Sequence, residues 1–263
     1  MDKRIALFFD IDGTLLDNKT KSILPLTQYI LEELNKKTNY DLYLSTGRSL
    51  ATLGKIAPYK KYFKGMNLSN GQEIYIGEKA YFGTPIAKQT IKKLLMRAEV
   101  EMVSIGLILK NEIVMNFFTN ESHFNFIHYV QAKVTNLNHK PFDFTKDVLQ
   151  VWLFASNEII QTYREVFPNL DFIDWGGYGA DVLPHGASKA NGIQKIANLI
   201  GYEKANMYAF GDGDNDAPMF EVVGTSVAMG NGSILAKKKA TMITDESSND
   251  GLYKAIMQLK LLD

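Results

Sequence analysis

The chain has 263 residues, 29 basic and 29 acidic side chains, and no cysteine. Balanced charge gives no support for a nucleic-acid or membrane-surface partner, and the lack of cysteine excludes disulfides, thiolate chemistry and Cys-ligated zinc. Asp10 and Asp12 interrupt the N-terminal apolar run, so we expect no signal peptide. No apolar stretch is long enough to span a bilayer. We therefore expect a cytoplasmic protein of one large domain or two modest ones.

The first predicted element is a strand. The run Ile5-Ala6-Leu7-Phe8-Phe9 is typical of a strand buried on both faces of a parallel sheet. Asp10-Ile11-Asp12-Gly13-Thr14 follows it, which puts two carboxylates at the sheet edge where open α/β folds bind ligands. Two like charges need a positive partner, and a divalent cation is the obvious candidate. From these five residues alone, a solvated turn with an N-cap aspartate remains the alternative.

Strand and helix patterns then alternate, as in βα units around a parallel sheet. A helix with Leu26, Ile30 and Leu34 on one face begins near Pro25. Strands over 42–44 and 66–68 end in Ser45-Thr46-Gly47-Arg48 and Ser69-Asn70-Gly71.

The pattern changes between two breaks, Gly83-Thr84-Pro85 and Pro184-His185-Gly186. The predicted elements between them are a helix over 91–98, hairpin strands over 105–109 and 113–117, a helix over 126–134, a strand over 148–154, a helix over 159–166, and strands over 170–173 and 180–183. This succession predicts an α+β module inserted into a Rossmann-like parallel-sheet core. We place the core at 1–83 and 185–263 and the module at 84–184.

The βα pattern resumes after the second break. Ser188 is a good N-cap for a helix that Gly201 stops. Strands are predicted over 207–210, 227–229 and 242–244, and the first of these ends in Gly211-Asp212-Gly213-Asp214-Asn215-Asp216.

Four polar clusters thus fall at or near predicted strand or helix ends. They are Asp10/Asp12, Thr46/Gly47, Lys189 and Asp212/Asn215/Asp216. If they share one sheet edge, carboxylate oxygens would suit Mg²⁺, while the amine and the backbone amides would suit a phosphate.

These clusters, in this order, resemble the four motifs of the haloacid dehalogenase-like superfamily of phosphohydrolases. The resemblance covers nearly the whole chain. The inserted module, together with Asn70-Gly71 before it, is similar to the type IIB cap of the Cof-type subfamily. The resemblance implies a Mg²⁺-dependent phosphatase acting on small phosphorylated metabolites, sugar phosphates especially, with a cap that selects the substrate. It would be a monomer or small homo-oligomer.

The resemblance also implies catalytic roles. Asp10 would be the nucleophile that forms an aspartyl-phosphate, and Asp12 would be the general acid and then the base. Mg²⁺ would be bound by the Asp10 carboxylate, the Asp12 backbone carbonyl and Asp212.

The remaining motif residues would bind phosphate or support the site. Thr46 and the Gly47 amide would hold phosphate oxygens, and Asn215 would contact the phosphate. Lys189 would neutralise charge on the transferring group, and Asp216 would hold Lys189 or the metal waters. This division of roles suits phosphoryl transfer, which depends on positioning and charge stabilisation.

Other interpretations of the same residues are weaker. A calcium loop starting at Asp212 would need Gly and Glu where Ala217 and Val223 stand. A dinucleotide fingerprint would need glycine at Asp216. A phosphomutase of the same superfamily stays open as the alternative, since no motif distinguishes it. A non-catalytic phosphoacceptor module would need neither Asp12 nor an inserted cap.

Overall fold

The computed structural model describes residues 4–120 and 134–262. They form two compact units. The first comprises Met1–Gly47, Lys55–Tyr81 and Ser188–Asp263, and the second comprises Arg48–Gly54 and Phe82–Ala187. The domain boundaries expected from the sequence, at 83/84 and 184/185, stay a prediction. The predicted helix over 126–134 lies outside the described residues except for Val134.

The strands in chain order are β1 (Ile5–Phe9), β2 (Tyr40–Ser45), β3 (Gly65–Leu68), β4 (Glu73–Ile76), β5 (Lys79–Phe82), β6 (Ser104–Leu109), β7 (Ile113–Met115), β8 (Thr135–Asn136), β9 (Val148–Phe154), β10 (Leu170–Asp174), β11 (Ala180–Pro184), β12 (Met207–Gly211), β13 (Thr225–Ala228) and β14 (Met242–Ile243). The helices are α1 (Pro25–Lys36), α2 (Lys88–Val100), α3 (Asn157–Val166), α4 (Lys189–Ile200), α5 (Ala217–Val222), α6 (Ile234–Lys239) and α7 (Gly251–Gln258). Within 4–120 and 134–262, no helix combines the length and the apolar character that crossing a membrane requires.

The sheet of the first unit has the order β14-β13-β12-β1-β2-β3-β4-β5. Its strands from β14 to β3 pair in parallel, and β4 then returns antiparallel to β3. β1 lies inside the sheet, and its last four residues are fully buried, as its apolar sequence predicts. The predicted α/β fold class, with a parallel-sheet core, is confirmed.

Helix α4 begins and ends as its sequence predicts. The Ser188 side chain accepts a hydrogen bond from the Asn191 backbone N–H at 3.2 Å, and Gly201 ends the helix with a φ of 89°. Its inner face buries apolar side chains such as Ile193 and Ile196 in the core of the first unit. The same inward face carries Lys189 in the first turn.

The second unit is built on a sheet of order β10-β11-β9-β6-β7-β8. Its pairs are antiparallel except for β7 with β8. The predicted β6–β7 hairpin is confirmed, whereas β8 was not expected. Helices α2 and α3 contribute Leu94 and Ile160 to the apolar core of this unit.

Candidate active site

The site begins at the carboxyl ends of two neighbouring strands, β1 and β12. Phe9 of β1 pairs with Phe210 of β12, and the Asp10 backbone N–H donates to the Phe210 carbonyl at 2.9 Å. Asp10 and Asp212 follow these strands and therefore lie at the same sheet edge. Together with Asp216 they form a group in which one carboxylate oxygen of each residue lies within 4.8 Å of the others.

Lys189 places a buried cation in this group. Its Nζ donates to Asp10 Oδ1 at 2.7 Å and to Asp216 Oδ1 at 2.5 Å, and its side chain is 1% exposed. Burial opposes the ammonium charge, but the two carboxylates outweigh it and raise the pKa of Lys189 above its usual range. The ammonium therefore stays charged.

The pKa values of Asp10 and Asp212 are raised. Burial is the main cause of the strongly raised pKa of Asp10, and Lys189 opposes it while Asp216 and Asp212 add to it. Burial, followed by repulsion from Asp216, raises the pKa of Asp212 to about 7. One ammonium among three carboxylates leaves an excess of negative charge in a desolvated place. Since carboxylate oxygens are the ligands that hard divalent cations prefer, the group fits a metal ion.

Asp216 also shapes the loop that carries Asp212. Its Oδ2 accepts the backbone N–H groups of Asp212 and Gly213, both at 2.8 Å. A Cβ at Gly211 would lie 2.4 Å from the Asp216 Cγ, so glycine is required there for this close approach. Asp216 therefore holds both the loop backbone and Lys189.

Asn231, which the sequence analysis did not single out, holds the side chain of Asp212. Its Nδ2 donates to Asp212 Oδ2 at 2.9 Å and to the Gly13 carbonyl at 3.0 Å. Its Oδ1 accepts the Ser247 backbone N–H at 2.8 Å. Gly13 has a φ of 80°, and a Cβ there would lie 2.1 Å from Asp212 Oδ2. No charge or motif marks an asparagine in a glycine-rich loop, so sequence reasoning had no signal for it.

Two of the predicted phosphate-binding residues, Thr46 and Asn215, are connected by hydrogen bonds through Asn70. Thr46 is buried, and its backbone N–H donates to the Asn67 carbonyl at 2.9 Å. Asn70 connects it to Asn215, because the Asn70 N–H donates to the Thr46 carbonyl and Asn70 Oδ1 accepts from Asn215 Nδ2, both at 3.1 Å. Gly47 follows Thr46 and is partly buried.

Asp12 stands apart from the carboxylate group that contains Asp10. Its side chain is exposed, and its backbone forms an isolated bridge to Leu16 where the chain turns after β1. It still lies close enough to add to the raised pKa of both Asp10 and Asp212. The structure therefore brings buried Asp10, Lys189 and Asp216 together with partly buried Asp212 and leaves Asp12 accessible to solvent.

Comparisons with known proteins identify the family of the chain. The chain matches the sequence model of the haloacid dehalogenase-like hydrolases over residues 7–256. It is 30% identical over 264 residues to the candidate phosphatase YkrA of Bacillus subtilis (strain 168), covering 100% of both chains. It is also 26% identical to a Bacillus subtilis 5-amino-6-(5-phospho-D-ribitylamino)uracil phosphatase, YitU, with 97% of each chain covered.

Among solved structures, the fold matches that of the subclass IIB sugar phosphatase BT4131. The TM-score is 0.90 at 24% identity, with 98% of this chain and 100% of that chain covered. The chain therefore belongs to the haloacid dehalogenase-like hydrolase family and is a phosphatase.

Proposed function

We propose that the protein is a Mg²⁺-dependent phosphatase that hydrolyses small phosphorylated metabolites, in particular sugar phosphates, through an aspartyl-phosphate. The observation that carries the proposal is the group of Asp10, Asp212 and Asp216 beside the buried Lys189. The relatives named as phosphatases of a ribitylaminouracil phosphate and of sugars support the substrate class. We further propose that 84–184 is a cap that selects the substrate and that 1–83 with 185–263 carries the chemistry.

In the proposed first step, an Asp10 carboxylate oxygen attacks phosphorus, and the bond to the leaving oxygen breaks. Lys189 lies against Asp10, and its ammonium favours the ionised carboxylate by opposing the rise in the pKa of Asp10 that burial causes. Asp12 donates a proton to the leaving oxygen and then takes one from the water that hydrolyses the intermediate. Its exposed side chain suits this role, since it can exchange protons with solvent.

Phosphate oxygens would be held by the Thr46 hydroxyl, the Gly47 N–H and the Asn215 amide. The hydrogen bond from Asn215 to Asn70 fixes one N–H of that amide, and the other N–H can donate to phosphate. Asp10, the Asp12 backbone carbonyl and Asp212 would hold Mg²⁺, which would neutralise charge on the transferring phosphoryl group. Asn231 supports this assignment because it holds one Asp212 oxygen and leaves the second for a metal.

The test is release of phosphate from p-nitrophenyl phosphate and from a panel of sugar phosphates, with Mg²⁺ and with EDTA. Asp10→Asn should abolish turnover with the fold intact. Asp214→Asn makes the same chemical change on an exposed side chain of the loop that holds Asp212, and it should retain activity. Normal turnover by Asp10→Asn would disprove the nucleophile assignment, and turnover unaffected by EDTA would remove the metal. A product that keeps its phosphoryl group at a second hydroxyl would favour the phosphomutase alternative.

A further inference from the structure

The loop between β3 and β4 has an uncommon backbone. Ser69, Asn70 and Gly71 have φ values of 49°, 50° and 93°, so three successive residues lie in the left-handed region. Glycine and asparagine tolerate this region, whereas serine is sterically disfavoured there. Such a backbone persists only where its surroundings hold it in place, and it is concentrated at functional sites.

A buried carboxyl holds this turn. Glu73 is fully buried, one oxygen accepts the Ser69 hydroxyl at 2.6 Å, and the other accepts the Tyr75 hydroxyl at 3.2 Å. Burial raises the pKa of Glu73 to about 7, although both hydrogen bonds lower it. A carboxyl buried in this way stabilises the folded state less than a leucine at the same position would. The presence of Glu73 is explained if its hydrogen bond with Ser69 does something that an apolar side chain could not do.

The turn contacts the candidate active site in two places. Asn70 joins it to Thr46 and to Asn215 through the two hydrogen bonds of 3.1 Å described above. A Cβ at Gly71 would lie 2.3 Å from the Ser188 carbonyl oxygen, so the turn packs directly against the start of α4. That helix carries Lys189 in its first turn.

We propose that Glu73 and Ser69 are positioning residues that, through the left-handed turn, fix the Asn70 carboxamide and thereby aim the Asn215 amide at the substrate phosphate. Neither residue need touch the substrate, since Ser69 donates its hydrogen bond to Glu73 and the turn connects Ser69 to Asn70, which accepts from Asn215. The phosphate at Asn215 rests on the proposed function above. The geometric link between Glu73 and Asn215 can be tested without it.

The experiment compares variants that break the chain of contacts with variants that spare it. Ser69→Ala and Glu73→Leu remove the hydrogen bond that holds the turn. Glu73→Gln keeps an acceptor oxygen for Ser69. Tyr75→Phe removes the other hydrogen bond to the same carboxyl, so it is the matched control. The measurements are kcat and KM for p-nitrophenyl phosphate, inhibition by inorganic phosphate, and the NMR signals of the Asn215 side-chain amide.

We expect Ser69→Ala and Glu73→Leu to lose about tenfold in kcat/KM and in phosphate inhibition, and to shift the Asn215 amide signals. Glu73→Gln and Tyr75→Phe should stay within about twofold of the unchanged protein, with unshifted signals. Unchanged kinetics and unshifted signals in Ser69→Ala would overturn the proposal, and Ser69→Ala decides the matter if Glu73→Leu does not fold. An equal loss in Tyr75→Phe would overturn it as well. If the unchanged protein has no phosphatase activity, the proposed function fails, and the Asn215 signals alone decide whether Glu73 and Ser69 position that amide.

Discussion

Replacing Glu73 by Gln should stabilise the protein, and the gain should depend on pH. Burial raises the pKa of Glu73 from 4.5 to about 7 in the folded state. Between these values the folded chain binds more protons than the unfolded chain, so the free energy of unfolding falls as pH rises through this window. Above pH 7 the ionised carboxyl lowers the unfolding free energy by about 3 kcal/mol, because each pKa unit of difference corresponds to about 1.36 kcal/mol.

Glutamine is neutral at every pH and has nearly the same shape. Glu73→Gln should therefore exceed the unchanged protein in unfolding free energy by about 3 kcal/mol at pH 8 and by less than about 1 kcal/mol at pH 5. Urea unfolding followed by circular dichroism at both pH values measures the difference. Glu165→Gln, on an exposed position of α3, is the control and should show no such pH-dependent gain. If Glu73→Gln and the unchanged protein lose stability equally between pH 5 and pH 8, the reasoning about the buried carboxyl is wrong.

Two further changes test the candidate active site. Lys189→Met leaves Asp10 and Asp216 buried without their cation, so we expect the unfolding free energy to fall by about 3–5 kcal/mol at pH 8 and turnover to vanish. Urea unfolding measures the stability, and the p-nitrophenyl phosphate assay measures the turnover. Unchanged stability would contradict the reasoning. Asn231→Ala releases Asp212 Oδ2, so Mg²⁺ should bind about 10- to 100-fold more weakly. Titration calorimetry measures that affinity, and an unchanged value would show that Asn231 does not hold the ligand in place.

Much of the first unit's fold could be predicted because its central elements have strong, simple patterns. The apolar run of β1 and the capped, periodic α4 are examples. Other elements had no such pattern. β4 starts with a buried glutamate, which reads as a surface residue in the sequence, and α5 and α6 have six residues each, too few to establish a helical period.

The candidate site shows the same division between marked and unmarked residues. Asp10, Lys189, Asp212 and Asp216 are charged residues at strand or helix ends, and the structure brings them together. Asn231 is an uncharged residue in a loop, and its importance depends on hydrogen bonds to Asp212, 19 residues earlier, and to Gly13, 218 residues earlier. The separation of Asp12 from this group also depends on how the chain turns after β1, which its spacing from Asp10 does not reveal.

The position of β1 inside its sheet has a consequence for synthesis of the chain. One edge of β1 pairs with β2, which follows soon afterwards, but the other pairs with β12, where Ala6 meets Met207 about 200 residues later. During translation the ribosome must therefore complete the whole of 82–187 before β12 exists, and one edge of the apolar strand β1 stays unpaired until then. An unpaired edge of this kind can associate with other chains. Nascent chains that end before β12 should depend on chaperones, and those that end after it should not.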